Sequence, residues 1–197
     1  MLTINEYRKV ESLEEAYELN QKKNNKIIAG GVWMKIGDRR IATAIDLSGL
    51  GLDQITETDT EFVIGAMTTL REIEKHAGLA AYTDGAIRES VRHIVGVQFR
   101  NCATVGGSIF GRFGFSDVLT VFLAMDTQVE LYHAGMVSLK EFIDMPYDND
   151  ILVALHVAKK PIRIAYLSQR NTATDFPVVA CACLLYTSPS PRDKRQS

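Results

Sequence analysis

Apolar residues along the chain recur at two spacings. Leu13, Ala16, Tyr17 and Leu19 fall on one side of a helical wheel, with glutamates between them. Ser12-Leu-Glu-Glu15 reads as a capping box opening that helix, with Glu15 at the third helical position, and Lys22-Lys-Asn-Asn25 closes it. The next apolar run, Lys26 to Ala29, is too short for a helix and reads as a strand ending in Gly30-Gly31, with a short helix near Val32-Trp33-Met34. Ala42 to Leu47 reads as another strand, closed by Ser48-Gly-Leu-Gly51. Residues 1–54 thus form a β-α-β unit.

Beyond that point the texture changes. Gln54 to Gly65 alternates around Asp59 and predicts two strands. Thr69-x-x-Glu72 predicts a second capped helix, and Ile87, Val91 and Ile94 predict a longer one over 84–95. Thr104-Val-Gly-Gly-Ser108 reads as a second glycine turn. A helix follows from Ser116 to Met125, capped by Ser116, with Val118, Leu119, Phe122 and Leu123 inward. Gln128 to Tyr132 is a strand, Ser138-x-x-Glu141 opens a third capped helix, and Ile151 to Val157 is a strand. Residues 55–160 make a second unit. Strands at 163–168 and 178–185 start a third, over 161–186. Strands and helices mix without regular alternation, so the predicted class is α+β. Residues 187–197 hold two prolines and no apolar side chain, and predict a disordered tail foreign to the domain.

Composition narrows the function. The chain has 197 residues, 46% hydrophobic and 23% charged, with a net charge of −2. No basic field invites nucleic acid, and no apolar run approaches the roughly 20 residues of a membrane span. The first residues lack the basic start and apolar middle of a signal peptide, so the cytoplasm is the expected compartment. Three cysteines do not make a disulfide framework. Cys181 and Cys183 share one face of a strand and read as small buried hydrophobes rather than metal ligands.

The two Gly-Gly segments remain as candidate chemistry. At the first, bare main chain with a helix start behind it suits phosphate oxygens. The second offers similar amides and two hydroxyls, and Asp117, at a helix start, is placed to accept from a ribose hydroxyl. Two such loops suit a pyrophosphate held from both sides, and therefore a dinucleotide.

The strings Ile28-Ala-Gly-Gly31, Ile45-Asp-Leu47, Phe62-Val-Ile-Gly-Ala-Met-Thr-Thr69, Gln98-Phe-Arg-Asn-Cys-Ala-Thr-Val-Gly-Gly-Ser-Ile109, Ser116-Asp117 and Asp150-Ile-Leu152 carry a family resemblance. The chain resembles the FAD-binding subunit of the molybdenum hydroxylases, which include bacterial xanthine dehydrogenase and the medium subunit of aerobic carbon monoxide dehydrogenase. The resemblance implies a two-subdomain α+β FAD domain of the vanillyl-alcohol-oxidase-like type, followed by a smaller α/β domain. It implies that Ile27, Ile28, Ala29, Gly30, Gly31, Val32 and Trp33 form the first wall of the FAD pocket. Ala103, Thr104, Gly106, Gly107 and Ser108 would form the second. Ser116 and Asp117 would hold the ribityl or ribose side, and Ile151 and Leu152 would flank the adenine. The implied partners are a molybdopterin-binding large subunit, a 2Fe-2S small subunit, and NAD or another electron acceptor. No catalytic residue and no metal ligand is implied for this chain. It differs from the family's usual pattern at Ser108, at Trp33, and along Phe110-Gly-Arg-Phe-Gly-Phe115, where small residues and a proline are common.

Overall fold

A computed structural model describes residues 1–184. The expected tail and the last residue of the expected final strand lie outside the described residues.

The first segment runs β1 (Thr3–Lys9), α1 (Leu13–Asn20), β2 (Lys26–Ile28), a 3-10 turn (Met34–Ile36) and β3 (Arg40–Asp46). The three strands pair in parallel in the order β1-β3-β2. β1 is exposed along its whole length, so no apolar alternation marks it in the sequence; backbone pairing to β3 holds it. Ser12 Oγ accepts from the Glu15 N–H at 3.1 Å. The Glu15 carboxylate turns instead to the Glu11 N–H and the Arg8 guanidinium, so the expected box closes on one side only. α1 buries Ala16 against Val10, Ile45, Leu47 and Ile151.

The middle of the chain gives β4 (Ile55–Glu57), β5 (Glu61–Gly65), α2 (Leu70–Lys75), α3 (Ala77–Tyr82), α4 (Ala86–Arg92), α5 (Val97–Arg100), α6 (Val105–Phe110), α7 (Asp117–Leu123), β6 (Thr127–Leu131), β7 (Gly135–Ser138), α8 (Leu139–Asp144) and β8 (Leu152–Ala158). Its strands form a five-stranded antiparallel sheet, β4-β5-β8-β6-β7. Side chains from the sheet and helices, among them Phe62, Ile64, Ile87, Val105, Ile109 and Phe122, make the larger core. Each such side chain removed from water contributes roughly 1.5–3 kcal/mol.

Thr69 with Glu72 and Ser138 with Glu141 form reciprocal capping boxes, as their spacing predicts. The helix expected over 84–95 is shorter. Asp84 at φ 48° and Gly85 at φ 81° break the backbone, α3 precedes the break, and α4 ends before Val95 at φ 49°.

A last antiparallel hairpin, β9 (Ile164–Gln169) with β10 (Val179–Leu184), lies against α4 and α7. Ile164 and Tyr166 are buried there. Cys181 and Cys183 are exposed and unpaired, a correction to their expected burial: Ala180, Ala182 and Leu184 take the inward face of β10. No helix among the described residues is long and apolar enough to cross a membrane.

Candidate functional site

β2 ends at Ile28 and the chain turns through Ala29, Gly30 and Gly31 into the 3-10 turn. Ile27 packs on the smaller core and Val32 on the larger, so the turn is fastened at both ends. Gly31 has φ 66°, a left-handed conformation that glycine adopts without strain. Gly30 lies against the backbone of Cys102 and Ala103; a Cβ there would stand 1.7 Å from the Cys102 carbonyl oxygen. The two glycine segments are therefore neighbours, although Gly30 and Gly106 stand 76 positions apart in sequence. Among the described residues, the amides of Gly30, Gly31, Val32 and Trp33 donate to no acceptor of the chain. Four successive N–H groups are left for an anion.

The second segment is not a turn. Thr104 caps α6 and its Oγ1 accepts from the Gly107 N–H at 3.1 Å, which puts Gly106 and Gly107 in the first helical turn. The neighbouring amides are also engaged. Val105 N–H donates to the Thr68 carbonyl at 2.9 Å, Gly106 N–H to Ala66 at 2.8 Å, and Ser108 N–H to Thr104 at 3.1 Å. A Cβ on Gly106 would come within 2.7 Å of the Ala66 Cβ, so this glycine permits close packing. Ala103 and Thr104 are buried, and the Ala103 carbonyl accepts from the Leu70 N–H. Ser108 Oγ donates back to the Thr104 carbonyl at 2.9 Å. The amides expected to face the pyrophosphate here are spent inside the fold.

Ser116 caps α7, accepting from the Leu119 N–H at 3.1 Å. Asp117 is buried, and its Oδ1 accepts from the Tyr166 hydroxyl and the Arg170 guanidinium. Burial and the adjacent Asp117 carboxylate push the Tyr166 phenol far above its usual range. Through Oδ1 the Asp117 carboxylate ties the hairpin to α7. No local signal in the sequence marks this contact, because its partners lie about fifty residues away. Ile151 is buried in the smaller core and Leu152 in the larger.

Two features escaped the sequence reading. Arg100 is buried, donating from Nε to Glu74 at 2.8 Å and from Nη1 to the Ile94 carbonyl at 3.1 Å. Burial opposes ionisation of Glu74, but Arg100 and Arg71 together hold its carboxyl below the usual range. This pair fixes α5 and so the approach to Thr104. The other feature is aromatic. Trp33 stands 5.2 Å from the Phe113 ring, 6.0 Å from Phe115 and 5.9 Å from Phe176, centroid to centroid. These rings gather at the end of the first glycine turn.

Among solved structures, a cyanide-inactivated Cu,Mo carbon monoxide dehydrogenase superposes with a TM-score of 0.85 at 24% identity, over 95% of this chain and 71% of that one. A carbon monoxide dehydrogenase from Hydrogenophaga pseudoflava gives 0.83 at 22%, over 93% and 70%. Quinoline 2-oxidoreductase from Pseudomonas putida 86 gives 0.83 at 19%, over 93% and 69%. At these identities the likeness concerns the fold. Among curated sequences, the uncharacterized protein YgfM of Escherichia coli K12 is 27% identical over 168 residues, 81% of this chain. The chain spans 61% of that relative's length. Residues 3–159 match the family described as the FAD binding domain in molybdopterin dehydrogenase, and that span holds both glycine segments and the whole five-stranded sheet. The chain belongs to this family of FAD-binding domains, and its cofactor is FAD.

Proposed function

We propose that this chain is the FAD-binding, electron-transferring part of a molybdenum hydroxylase of the xanthine dehydrogenase type. In this reading a molybdopterin-binding large subunit oxidises the substrate, a 2Fe-2S small subunit delivers the electrons, and NAD or another acceptor removes them in the cytoplasm. The substrate never touches this chain. We assign residues 1–54 and 55–160 as the two subdomains that clasp the cofactor, and 161–186 as the start of a further domain.

The row of unengaged amides from Gly30 to Trp33, backed by the Cys102–Ala103 main chain, carries the proposal. Four N–H donors, the first two on glycines, suit the oxygens of a pyrophosphate. Ile27, Ile28 and Ala29 hold the turn at the end of a paired strand, and Val32 anchors its far side. In the second segment Ala103, Thr104 and Gly106 hold α6 beside the first turn, and Gly107 and Ser108 lie on its less buried side. Ser116 fixes the start of α7, with Asp117 pinned behind it, and Ile151 and Leu152 keep the two cores in contact. Bound there, FAD supplies the exchange between one-electron and two-electron carriers. The protein supplies position and electrostatics.

Purified protein should carry flavin absorbance at about 450 nm. A folded but colourless preparation that takes up no added FAD would overturn the assignment.

One observation favours a second reading. Trp33, Phe113, Phe115 and Phe176 crowd the first turn, and such rings suit a family member that keeps the fold as an assembly module with its flavin site filled. A Trp33→Ala variant that gains flavin binding absent from the parent would establish that reading instead.

A further inference from the structure

Residues 111–116 pass beside the first glycine turn in an unusual conformation. Arg112 has φ 47°, which a residue with a Cβ rarely adopts unless its surroundings impose it. Its side chain runs inward into an aromatic box. The guanidinium carbon lies 4.0 Å from the Phe142 ring centroid, 4.6 Å from Tyr147 and 5.8 Å from Phe110. Nη1 donates to the Met145 carbonyl, and the Tyr147 hydroxyl donates to the Gly111 carbonyl at 2.7 Å. Arg112 Nε is the one buried side-chain nitrogen or oxygen without a partner among the described residues. A loop paying for a left-handed arginine and an unpaired buried donor is being held in place for something.

What it holds in place are two rings. Phe113 folds back over Gly111, where a Cβ would stand 2.7 Å from its Cε2. Phe113 and Phe115 then stack at 5.2 Å and 10°, and both meet Trp33. Trp33 is 46% exposed and Phe115 36%, so the rings form a surface rather than a core. Single exposed aromatics are ordinary; a group of rings from two distant segments, with Phe176 of a third at its edge, beside such a turn is not.

We propose that Arg112 is a positioning residue for the flavin ring: it latches the 111–116 loop so that Phe113, Phe115 and Trp33 form the apolar wall against which the ring rests. This builds on the FAD reading above. The latch uses stacking as well as charge, since a planar guanidinium covers an aromatic face better than an ammonium does.

Trp33 is the only tryptophan in the chain, so its fluorescence reports this wall directly. In the cofactor-free protein, Arg112→Ala should raise acrylamide quenching of Trp33 by roughly twofold, as expected when stacked rings separate. In the FAD-loaded protein the same variant should release FAD about tenfold faster, the loss of one aromatic contact. Arg112→Lys should recover part of both. Phe113→Ala changes a half-exposed ring and tests the wall even where Arg112→Ala fails to fold; it too should release FAD faster at an unchanged Tm. If Arg112 acts through Phe113, the double variant should lose FAD no faster than Phe113→Ala alone.

Unchanged quenching and an unchanged FAD release rate in folded Arg112→Ala, or an unchanged rate in Phe113→Ala, would overturn the proposal. Additive effects in the double variant would overturn the coupling. If the parent protein takes up no FAD, it is the functional reading that fails, and the quenching comparison still decides the latch.

Discussion

The two Gly-Gly segments look alike in sequence and do opposite things. At 30–31 the glycines leave their amides unpaired among the described residues and let the chain press against a neighbouring backbone. At 106–107 they enter a helix, and every amide from Val105 to Ser108 is used within the protein. One segment presents donors; the other supports the one that does. A glycine pair is therefore ambiguous until the destination of its N–H groups is known. The pair closes around one place because Gly30 rests on Cys102, two residues before the cap of α6.

The largest effect should come from Gly30→Val. Its Cβ would overlap the Cys102 carbonyl, and neither side is a flexible side chain that can swing away. The first turn should separate from the approach to α6, with complete loss of FAD on gel filtration. Overpacking of this kind also costs roughly 1–3 kcal/mol, readable as a lower Tm. A Gly30→Val protein that retains FAD would end the distinction between the segments.

Gly106→Ala sharpens the comparison. Its Cβ would meet Ala66 at 2.7 Å, and a helical alanine recovers some of the cost through propensity, so a net loss of about 1–2 kcal/mol is expected. FAD affinity should follow stability here, because the Gly106 amide donates to Ala66 and not outward. Urea unfolding paired with FAD titration separates the two quantities.

How much of this was readable beforehand varies with the range of the interaction. The capping boxes at Thr69–Glu72 and Ser138–Glu141 are local, and their spacing alone located two helix starts. α6 was hidden because Thr104-Val-Gly-Gly has the composition of a turn; packing of Gly106 on Ala66 overrides a poor helix propensity. β1 has no apolar face to recognise, and Asp117 gave no hint that Tyr166 and Arg170 would claim it. The first turn kept the placement its residues predicted, since a short strand followed by two glycines leaves few alternatives. The aromatic group needed three loops to meet, and periodicity carries no information on that.

Acid should act on the supporting segment. Glu74 ionises below the usual glutamate value of 4.5 because Arg100 and Arg71 outweigh its burial. A depressed carboxyl stabilises the fold fully above that value and loses its contribution as pH falls through the lower, folded-state pKa. Amide protection at residues 103–107, measured relative to the intrinsic exchange rate at each pH, should therefore weaken as pH falls below the usual glutamate value, and Glu74→Gln should flatten that dependence. The first turn has no such carboxylate–arginine clamp on its own residues, so its exchange should change only by way of Cys102. An equally steep loss of protection in the Glu74→Gln protein would mean that another carboxylate governs.

The smallest effect, and the finest test, is Gly107→Ala. Gly107 is exposed in the first turn of α6, and a Cβ there would meet only Thr104 Oγ1, at 3.2 Å. That contact asks for a shift of a few tenths of an ångström from a hydroxyl that already accepts the Gly107 N–H. Replacing a helical glycine by alanine gains up to about 1 kcal/mol, less at a helix start, so stability should stay level or rise slightly. If the second segment only supports the first, FAD affinity should be almost unchanged. A large loss of FAD with intact stability would mean that the pyrophosphate lies against Gly107 itself, held there by shape rather than by the amides. The division of labour between the two glycine pairs would then have to be redrawn around close approach instead of hydrogen bonding.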